Sequence, residues 1–336
     1  MIPNATTDAT TTTDSFLAAL RHHTGTGDLD WARPPLPLSG GFWAEMYDVE
    51  FVDPTERLTG RLVARIMPDP ATAAFETTVQ RHVHRCGLSV PAIRAAAGPG
   101  EHLDRAWSLM DYACGQPLLS GLSAASAFRQ VPTLLRRLPL VLAEAASNVH
   151  RCSTEGLEDE LASHDRRADV DDFLERVAHQ AVSIDRLDLA SNARQLATQS
   201  ASTRVICHGD LHPFNLLVDD EQWTLVDWSA AVIADPHYDL AFTTLMLAKP
   251  PLGGPAPVRA VARIIGNWLA NRFLRTYEQL TAHPIDPDRL HWGRQVHALR
   301  ALVELHTWDA QGTTSAHAGH PWLALRPHLE AQLSTR

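Results

Sequence analysis

The segment CHGDLHPFNLLVDDEQWTLVDWSAA, residues 207–231, sets Asp210, Asn215 and Asp227 among short apolar runs. RVICHGD delivers Asp210 at the end of a strand pattern, and Pro213 in LHPFN marks a tight turn. NLLVDDEQWTLVDW reads as two strands joined by a turn at Asp219 and Asp220, so Asn215 and Asp227 are expected at neighbouring strand ends near Asp210. A hard divalent cation takes oxygen ligands, and one carboxylate with one amide carbonyl suffices when substrate phosphates complete the shell. A second carboxylate, off the metal, can accept a proton from a hydroxyl. That division of labour suits phosphoryl transfer, in which a protein chiefly positions groups and neutralises charge. Asp and Asn are also ordinary turn residues. The three together, behind HGD and after an apolar strand, point to a site.

The elements that must position these residues fall into two regions. The chain has 336 residues, enough for one large domain or two lobes, and 45% of them are apolar. Residues 1–14 are rich in Thr and Asp and are expected to form a disordered tail, with a short helix following in SFLAALRHH. PPLPLSGGFWAEMYDVEFVD reads as strand, glycine turn and strand, and RLVARIMP as a further strand closed by Pro68. AAFETTVQRHVHRCG carries Phe75, Val79 and Val83 at helical spacing and stops at Gly87. SVPAIRAAAG and AWSLMDYACG complete the strands. After Gly115 the pattern turns helical over 125–200, yields the short β runs of the charged segment, and is helical again from Asp239. The expected architecture is α+β: a tail over 1–14, a small antiparallel β-rich lobe with one helix over 15–113, and a larger, mainly helical lobe over 114–336.

Charge and cysteine usage narrow the partners. A formal charge of -10 disfavours general binding to nucleic acid or anionic membranes. Apolar runs are broken before they reach bilayer length, so no membrane association is expected. The N-terminus lacks a basic start and an apolar core, so no secretion signal is read there. Cys86, Cys114, Cys152 and Cys207 show no paired spacing, which fits reduced thiols in a cytoplasm. Lys249 is the one lysine; the other basic residues are arginine.

The 207–231 segment resembles the catalytic and metal loops of the aminoglycoside phosphotransferase and choline kinase family, which has a two-lobed, protein-kinase-like fold. The resemblance implies a small-molecule kinase that moves the γ-phosphoryl of ATP or GTP, with Mg2+, to a hydroxyl of a small acceptor, as monomer or homodimer. It implies Asp210 as the catalytic base, Asn215 and Asp227 as metal ligands, and His208 as a structural residue. DPHYDLA, residues 235–241, is similar to the family's next signature, with Asp239 bracing the loop and Asp235 as a cap. In the small lobe, LSGGFW resembles the nucleotide-covering turn, through Ser39, Gly40 and Gly41. Glu76 stands where the family has its helix Glu. SLMDYACG resembles the hinge, where the backbone of Asp111, Tyr112 and Ala113 would bind adenine edges and Tyr112 could pack on the ring.

One position departs from the pattern: Arg65 in LVARIMP replaces the family's strand lysine. A guanidinium is planar, longer and always charged, so the exchange is not silent; it can still pair bidentately with Glu76 or a phosphate. Two alternatives follow. A nucleotide-binding pseudokinase would explain Arg65. A metal-dependent phosphoester hydrolase would need His208, His212 and His237 to converge with Asp210 and Asp227 on a bimetal centre. For the acceptor, Glu304 and Asp309 on an amphipathic helix could face a cation, or form a solvated face.

Overall fold

A computed structural model of the chain describes residues 5–38, 44–52, 57–118, 124–162, 164, 166–199, 203–249 and 256–334, with side chains for all of these except 5–10, 124–134 and 256–258. The chain divides into two compact units, Met1–Cys114 with Asp159–Arg166, and Gly115–Glu158 with Arg167–Arg336. The short segment 159–166, expected in the helical lobe, belongs to the first unit.

The first unit is built on an antiparallel sheet. Helix α1 (Ala5–Thr24) precedes β1 (Asp30–Trp31), β2 (Leu36–Pro37), β3 (Glu45–Val49), β4 (Phe51–Val52) and β5 (Leu62–Met67); α2 (Pro70–Arg85), β6 (Ile93–Ala97) and β7 (Ala106–Asp111) follow. Five strands form one sheet in the order β2-β3-β5-β7-β6, and β1 pairs separately with β4. The two-residue period of β5 sends its side chains to opposite faces. Leu62, Ala64 and Ile66 join Phe16, Leu17 and Leu20 of α1 in one core cluster. Met67, two residues on from Arg65 and so on its face, packs with Ala73 of α2. Alternation along one strand thus turns Arg65 toward α2.

Helix α2 starts where its sequence dictates. Asp69 accepts the Ala71 N–H at 3.1 Å and Pro70 occupies the first helical position, where its missing N–H is harmless. Phe75, Glu76, Val79 and Val83 are buried. Helix α1 differs from the expectation for the N-terminus: it begins at Ala5, within the stretch read as a disordered tail. Thr13, Phe16, Leu17 and Leu20 recur at helical spacing and are buried, so the Thr-rich segment continues a helix whose later turns are anchored on the sheet. The rest of α1 takes in SFLAALRHH, the stretch whose sequence reads as a short helix.

The second unit contains β8 (Gln116–Pro117), α3 (Ala124–His150), part of α4 (Leu157–Leu161), α5 (Val170–Ser183), α6 (Leu187–Ala197), β9 (Val205–Cys207), β10 (Leu216–Asp219), β11 (Gln222–Leu225), β12 (Val232–Ala234), α7 (His237–Ala248), α8 (Ala256–Thr281), α9 (Pro287–Gln311) and α10 (Pro321–Ser334). Its strands form two small sheets, β8-β10-β11 and β9-β12. Helix α7 is buried on most sides, from Tyr238 through Thr244, and is the axis around which α8 and α9 pack. Helix α9 is framed by Asp286, whose Oδ1 accepts the Asp288 N–H at 2.9 Å, and by Gly312 at φ 68°. Its Val296, Leu299 and Leu302 share a core with Leu174, Phe242 and Trp322. Among the described residues no helix is long and apolar enough to cross a membrane.

Candidate active site

Strand β9 is pinned between neighbours before it releases the charged loop. It pairs antiparallel with β12, Cys207 opposite Val232. The chain then turns at Gly209, which adopts φ 77° and lies so close to Ala230 that a Cβ there would sit 2.0 Å from its carbonyl oxygen. Both conditions demand glycine. Gly209→Ala should lower unfolding stability by more than the roughly 1–2 kcal/mol of a left-handed L-residue alone, because the Ala230 backbone must also move. Urea titration checks this, and an unchanged midpoint would disprove the packing described.

Four anchors hold the loop that follows. Asp239, fully buried in the first turn of α7, accepts the His208 N–H on Oδ2 at 2.8 Å and the Gly209 N–H on Oδ1 at 2.7 Å. Burial raises the Asp239 pKa, but hydrogen bonding and charge from His150, then His208 and the Gly209 amide, more than offset it and leave the carboxyl low. The Arg300 guanidinium of α9 donates to the Gly209 carbonyl at 3.2 Å, and Thr243 of α7 donates to the Leu211 carbonyl at 2.8 Å. The fourth anchor is the buried His208 ring. Its Nδ1 accepts the Asp210 N–H at 3.3 Å, so the proton is assigned to Nε2, which donates to the Val226 carbonyl at 3.0 Å. Burial lowers the His208 pKa, consistent with a neutral ring.

Asp210 is thereby held with its carboxylate half-buried; the side chain keeps 28% of its exposure and stays reachable. Asn215 Nδ2 donates both to Asp210 Oδ2 at 3.1 Å and to the Asp210 carbonyl at 3.0 Å. His212 Nε2 lies 3.5 Å from Asp210 Oδ2, while its Nδ1 accepts the Phe214 N–H. Burial raises the Asp210 pKa, but the His212 hydrogen bond and charge, then Arg300 and His208, hold it well below the usual carboxylate range. The group is an ionised acceptor.

The hairpin β10–β11 brings the other two residues to one end. Leu216 pairs with Leu225, and the Val226 N–H donates to the Asn215 carbonyl at 3.0 Å, so Asn215 and Asp227 follow each other across the hairpin mouth. The fully buried Leu211, Leu216, Leu225 and Trp228 pack beneath. Asp227 adopts φ 67°, a conformation Asp tolerates better than most residues, and its Oδ1 accepts the Ser229 hydroxyl at 2.8 Å. With its nitrogen turned to Asp210, the Asn215 amide has its oxygen to offer a cation. The donor set of amide oxygen and carboxylate is the hard type that magnesium takes.

The remaining sequence candidates are placed as follows. Asp235 Oδ1 accepts the His237 N–H at 2.8 Å at the entry to α7, and Arg289 Nε donates to its Oδ2 at 3.0 Å. Arg65 Nη1 and Glu76 Oε1 form a buried ion pair in the first unit. Ser39, Gly40 and Gly41 lie outside the described residues; they connect β2 to β3. The Asp111–Ala113 stretch is less open than its motif suggests. The Asp111 N–H donates to Ala92 and the Tyr112 N–H to Arg61, leaving Ala113 as the one amide donor of the three without an engaged partner among the described residues. The Arg61 guanidinium covers one face of the Tyr112 ring at 3.5 Å, so a base could reach only the other.

Several supports carry no sequence signal. Arg300, His150 and Thr243 reach the loop from three different helices, at separations no local pattern encodes. Two buried threonines in apolar α7, Thr243 and Thr244, are the nearest thing to a cue. His150, Cys207 and Asp239 bring ligand-type atoms within 4.8 Å of one another. Their donors are otherwise engaged: Asp239 by two backbone amides and His150 Nε2, His150 Nδ1 by Tyr277 at 2.7 Å, and the Cys207 thiol is pushed well up by burial and so stays protonated. This cluster is a brace for the loop. The three histidines of a bimetal centre do not converge either, since His208 faces Val226 and His237 faces Asp235 and the Asp286 amide. Asp309 pairs with Arg326 and Thr314, both at 2.7 Å, which withdraws it from acceptor binding. Glu304 is pushed up by burial, opposed by Arg300 and a hydrogen bond with Trp322, and it feels the Asp210 charge.

A β-rich N-lobe and a helical C-lobe carrying this loop define a protein-kinase-like fold. The model of the phosphotransferase enzyme family matches residues 36–274, and the chain belongs to that family. It is accordingly an enzyme of the phosphotransferase type. No curated protein sequence matches it. Among solved structures, a putative aminoglycoside phosphotransferase from Ralstonia eutropha JMP134 superposes with a TM-score of 0.62 at 16% identity, over 96% of this chain and 95% of that one. Aminoglycoside phosphotransferase APH(4)-Ia gives 0.61 at 17% identity, over 96% and 98%. The GDP and kanamycin complex of APH(2")-IIIa gives 0.58 at 15%, over 94% and 98%. At these identities the likeness speaks for the fold.

Proposed function

We propose that the chain transfers the γ-phosphoryl of ATP or GTP to a hydroxyl of a small molecule, with Asp210 as the general base. The observation that carries the reading is the Asp210 carboxylate itself: ionised, reachable, and fixed by the Asn215 amide and by a loop tied down at both carbonyls and amides. The acceptor O–H would donate to Asp210, and the proton would pass to the carboxylate as the oxygen bonds to phosphorus.

Asn215 and Asp227 would hold Mg2+, which supplies charge neutralisation at the nucleotide phosphates. In the first unit, Arg65, fixed by Glu76, would engage phosphate oxygens, and Ser39, Gly40 and Gly41 would cover them. Ala113 would offer the amide donor to the base. The pairing of Arg65 with Glu76 supports a working kinase over a pseudokinase. Kanamycin and hygromycin B, present in complexes of similarly folded proteins, are first acceptors to assay; Glu304, which feels the Asp210 charge, would be the carboxylate to meet a cationic one. A resistance role and the choice of nucleotide rest on that assay.

The test is a screen of hydroxyl acceptors with labelled ATP and GTP. Transfer to an alcohol that disappears in Asp210→Asn supports the reading; thermal stabilisation by nucleotide without transfer to any acceptor would favour a pseudokinase. Magnesium gives a separate check. It should stabilise the nucleotide complex more than the empty protein, by an increment of about 2.7 kcal/mol when the ion is a hundredfold above its Kd, read as a higher melting temperature. Asp227→Ala should erase that increment, and an increment that survives removes Asp227 from the metal site.

A further inference from the structure

Outside the loop, the second unit contains a cavity of about 380 Å3 framed by α7, α8, α9 and α10. Its volume falls in the range of small-ligand sites. Three basic side chains line it, Lys249 at the end of α7, Arg294 of α9 and His328 of α10, and no acidic residue does. None of the three has a salt bridge or a side-chain hydrogen bond among the described residues. The walls add Asn267 and Asn271 of α8 and Thr244 of α7, with Leu245, Leu274 and other apolar groups between them. The combination is unusual for this chain: its net charge is -10, and its one lysine stands here.

We propose that this cavity binds a small molecule carrying a carboxylate or phosphate on an apolar body. The Lys249 and Arg294 charges facing one cavity repel, and the repulsion is relieved by an anion that meets both. Burial lowers the His328 pKa, and Lys249 and Arg294 lower it further, as expected of three groups sharing one field. A guanidinium and an ammonium present complementary donors, a planar fork and a point charge, and the two asparagines can complete the anion's hydrogen bonds. The apolar wall then selects for an organic anion over a bare one. The site goes beyond the transfer reaction and does not depend on it. It has a geometric tie to the loop nonetheless. Thr244 lies one residue after Thr243, which holds the Leu211 carbonyl, and Arg294 lies six residues before Arg300, about 9 Å along α9 at 1.5 Å per residue.

Calorimetric titration of the full chain with phenyl phosphate, and with inorganic phosphate and phenol as partial probes, tests the proposal. Phenyl phosphate should bind more tightly than either partial probe, and Lys249→Gln and Arg294→Gln should each weaken it by about tenfold, roughly 1.4 kcal/mol. Neither residue is in the core, so melting temperatures should stay near the parent's and confirm folding. Ala248→Phe, which fills the cavity without touching a charge, should abolish binding as well. Binding that is unchanged in all three variants, and lost instead in Asp227→Ala with magnesium, would place the probe at the nucleotide site and overturn the proposal, as would no binding of phenyl phosphate at millimolar concentration.

Discussion

Asp210→Asn should lower turnover by about a hundredfold or more while leaving nucleotide affinity largely as it was. The substitution keeps size and shape. Asn215 Nδ2, which donates to Asp210 Oδ2, would hold the new amide by its oxygen and so turn its NH2 outward. A donor would then face the acceptor hydroxyl where an acceptor is needed. Steady-state kinetics with a saturating acceptor, alongside nucleotide titration, separates the two effects; near-parental turnover would remove Asp210 from the mechanism. Because the carboxyl sits well below its ordinary range, Asp210 is already ionised throughout neutral and mildly acidic pH. An acidic limb in the rate profile near pH 6, about the ordinary range of histidine, would belong to another group. The lowered pKa has a stability consequence too. The carboxylate stabilises the fold above the unfolded Asp value of about 3.9, and that contribution is lost as pH falls through the folded value. The stability gap between the parent and the Asp210→Asn variant should therefore narrow in acid.

What the sequence makes legible depends on range along the chain. The loop and hairpin are readable because their logic is local: an apolar strand, a Gly that only a left-handed turn requires, a Pro turn, and a hairpin whose register sets Asn215 and Asp227 on one side. The strand period also explains why Arg65 and Glu76 meet. Only the first turns of α1, within residues 5–14, escape such a reading, because Thr-rich composition resembles disorder; SFLAALRHH, with its buried Phe16, Leu17 and Leu20, reads as helix. The supports Arg300, His150 and Thr243 are invisible in sequence, since each contributes one side chain from a helix whose pattern encodes only its buried face. Asp309 shows the same limit from the other side: its spacing allows an acceptor-facing carboxylate or a solvated face, and only the fold shows an exposed side chain paired with Arg326. The hinge motif does not report that Ala92 and Arg61 take two of the three amides in Asp111–Ala113.

Arg65→Ala should reduce transfer far more than Arg65→Lys, and the two variants together weigh catalysis against mere structure. Arg65 lies on the α2 side of β5 and is buried with Glu76 on the first turns of α2. Removing one partner of a buried ion pair costs about 3–5 kcal/mol. Arg65→Ala is therefore expected to lower both the melting temperature and the turnover. A lysine restores the charge and can reach Glu76, but it offers a point charge in place of a planar fork. Arg65→Lys should keep activity within about tenfold of the parent, a barrier change of roughly 1.4 kcal/mol. Stability and chemistry are then parted by the double variant Arg65→Ala/Glu76→Ala. With the facing carboxylate also removed, it should regain much of the stability lost in Arg65→Ala. If the guanidinium also acts on the phosphates, turnover stays low in that restabilised background and the KM for nucleotide rises. Turnover that recovers together with stability would confine Arg65 to holding α2 in place. If the parent transfers phosphate to no acceptor and Arg65→Lys does, the arginine is itself what silences the site, and the natural protein binds nucleotide without using it.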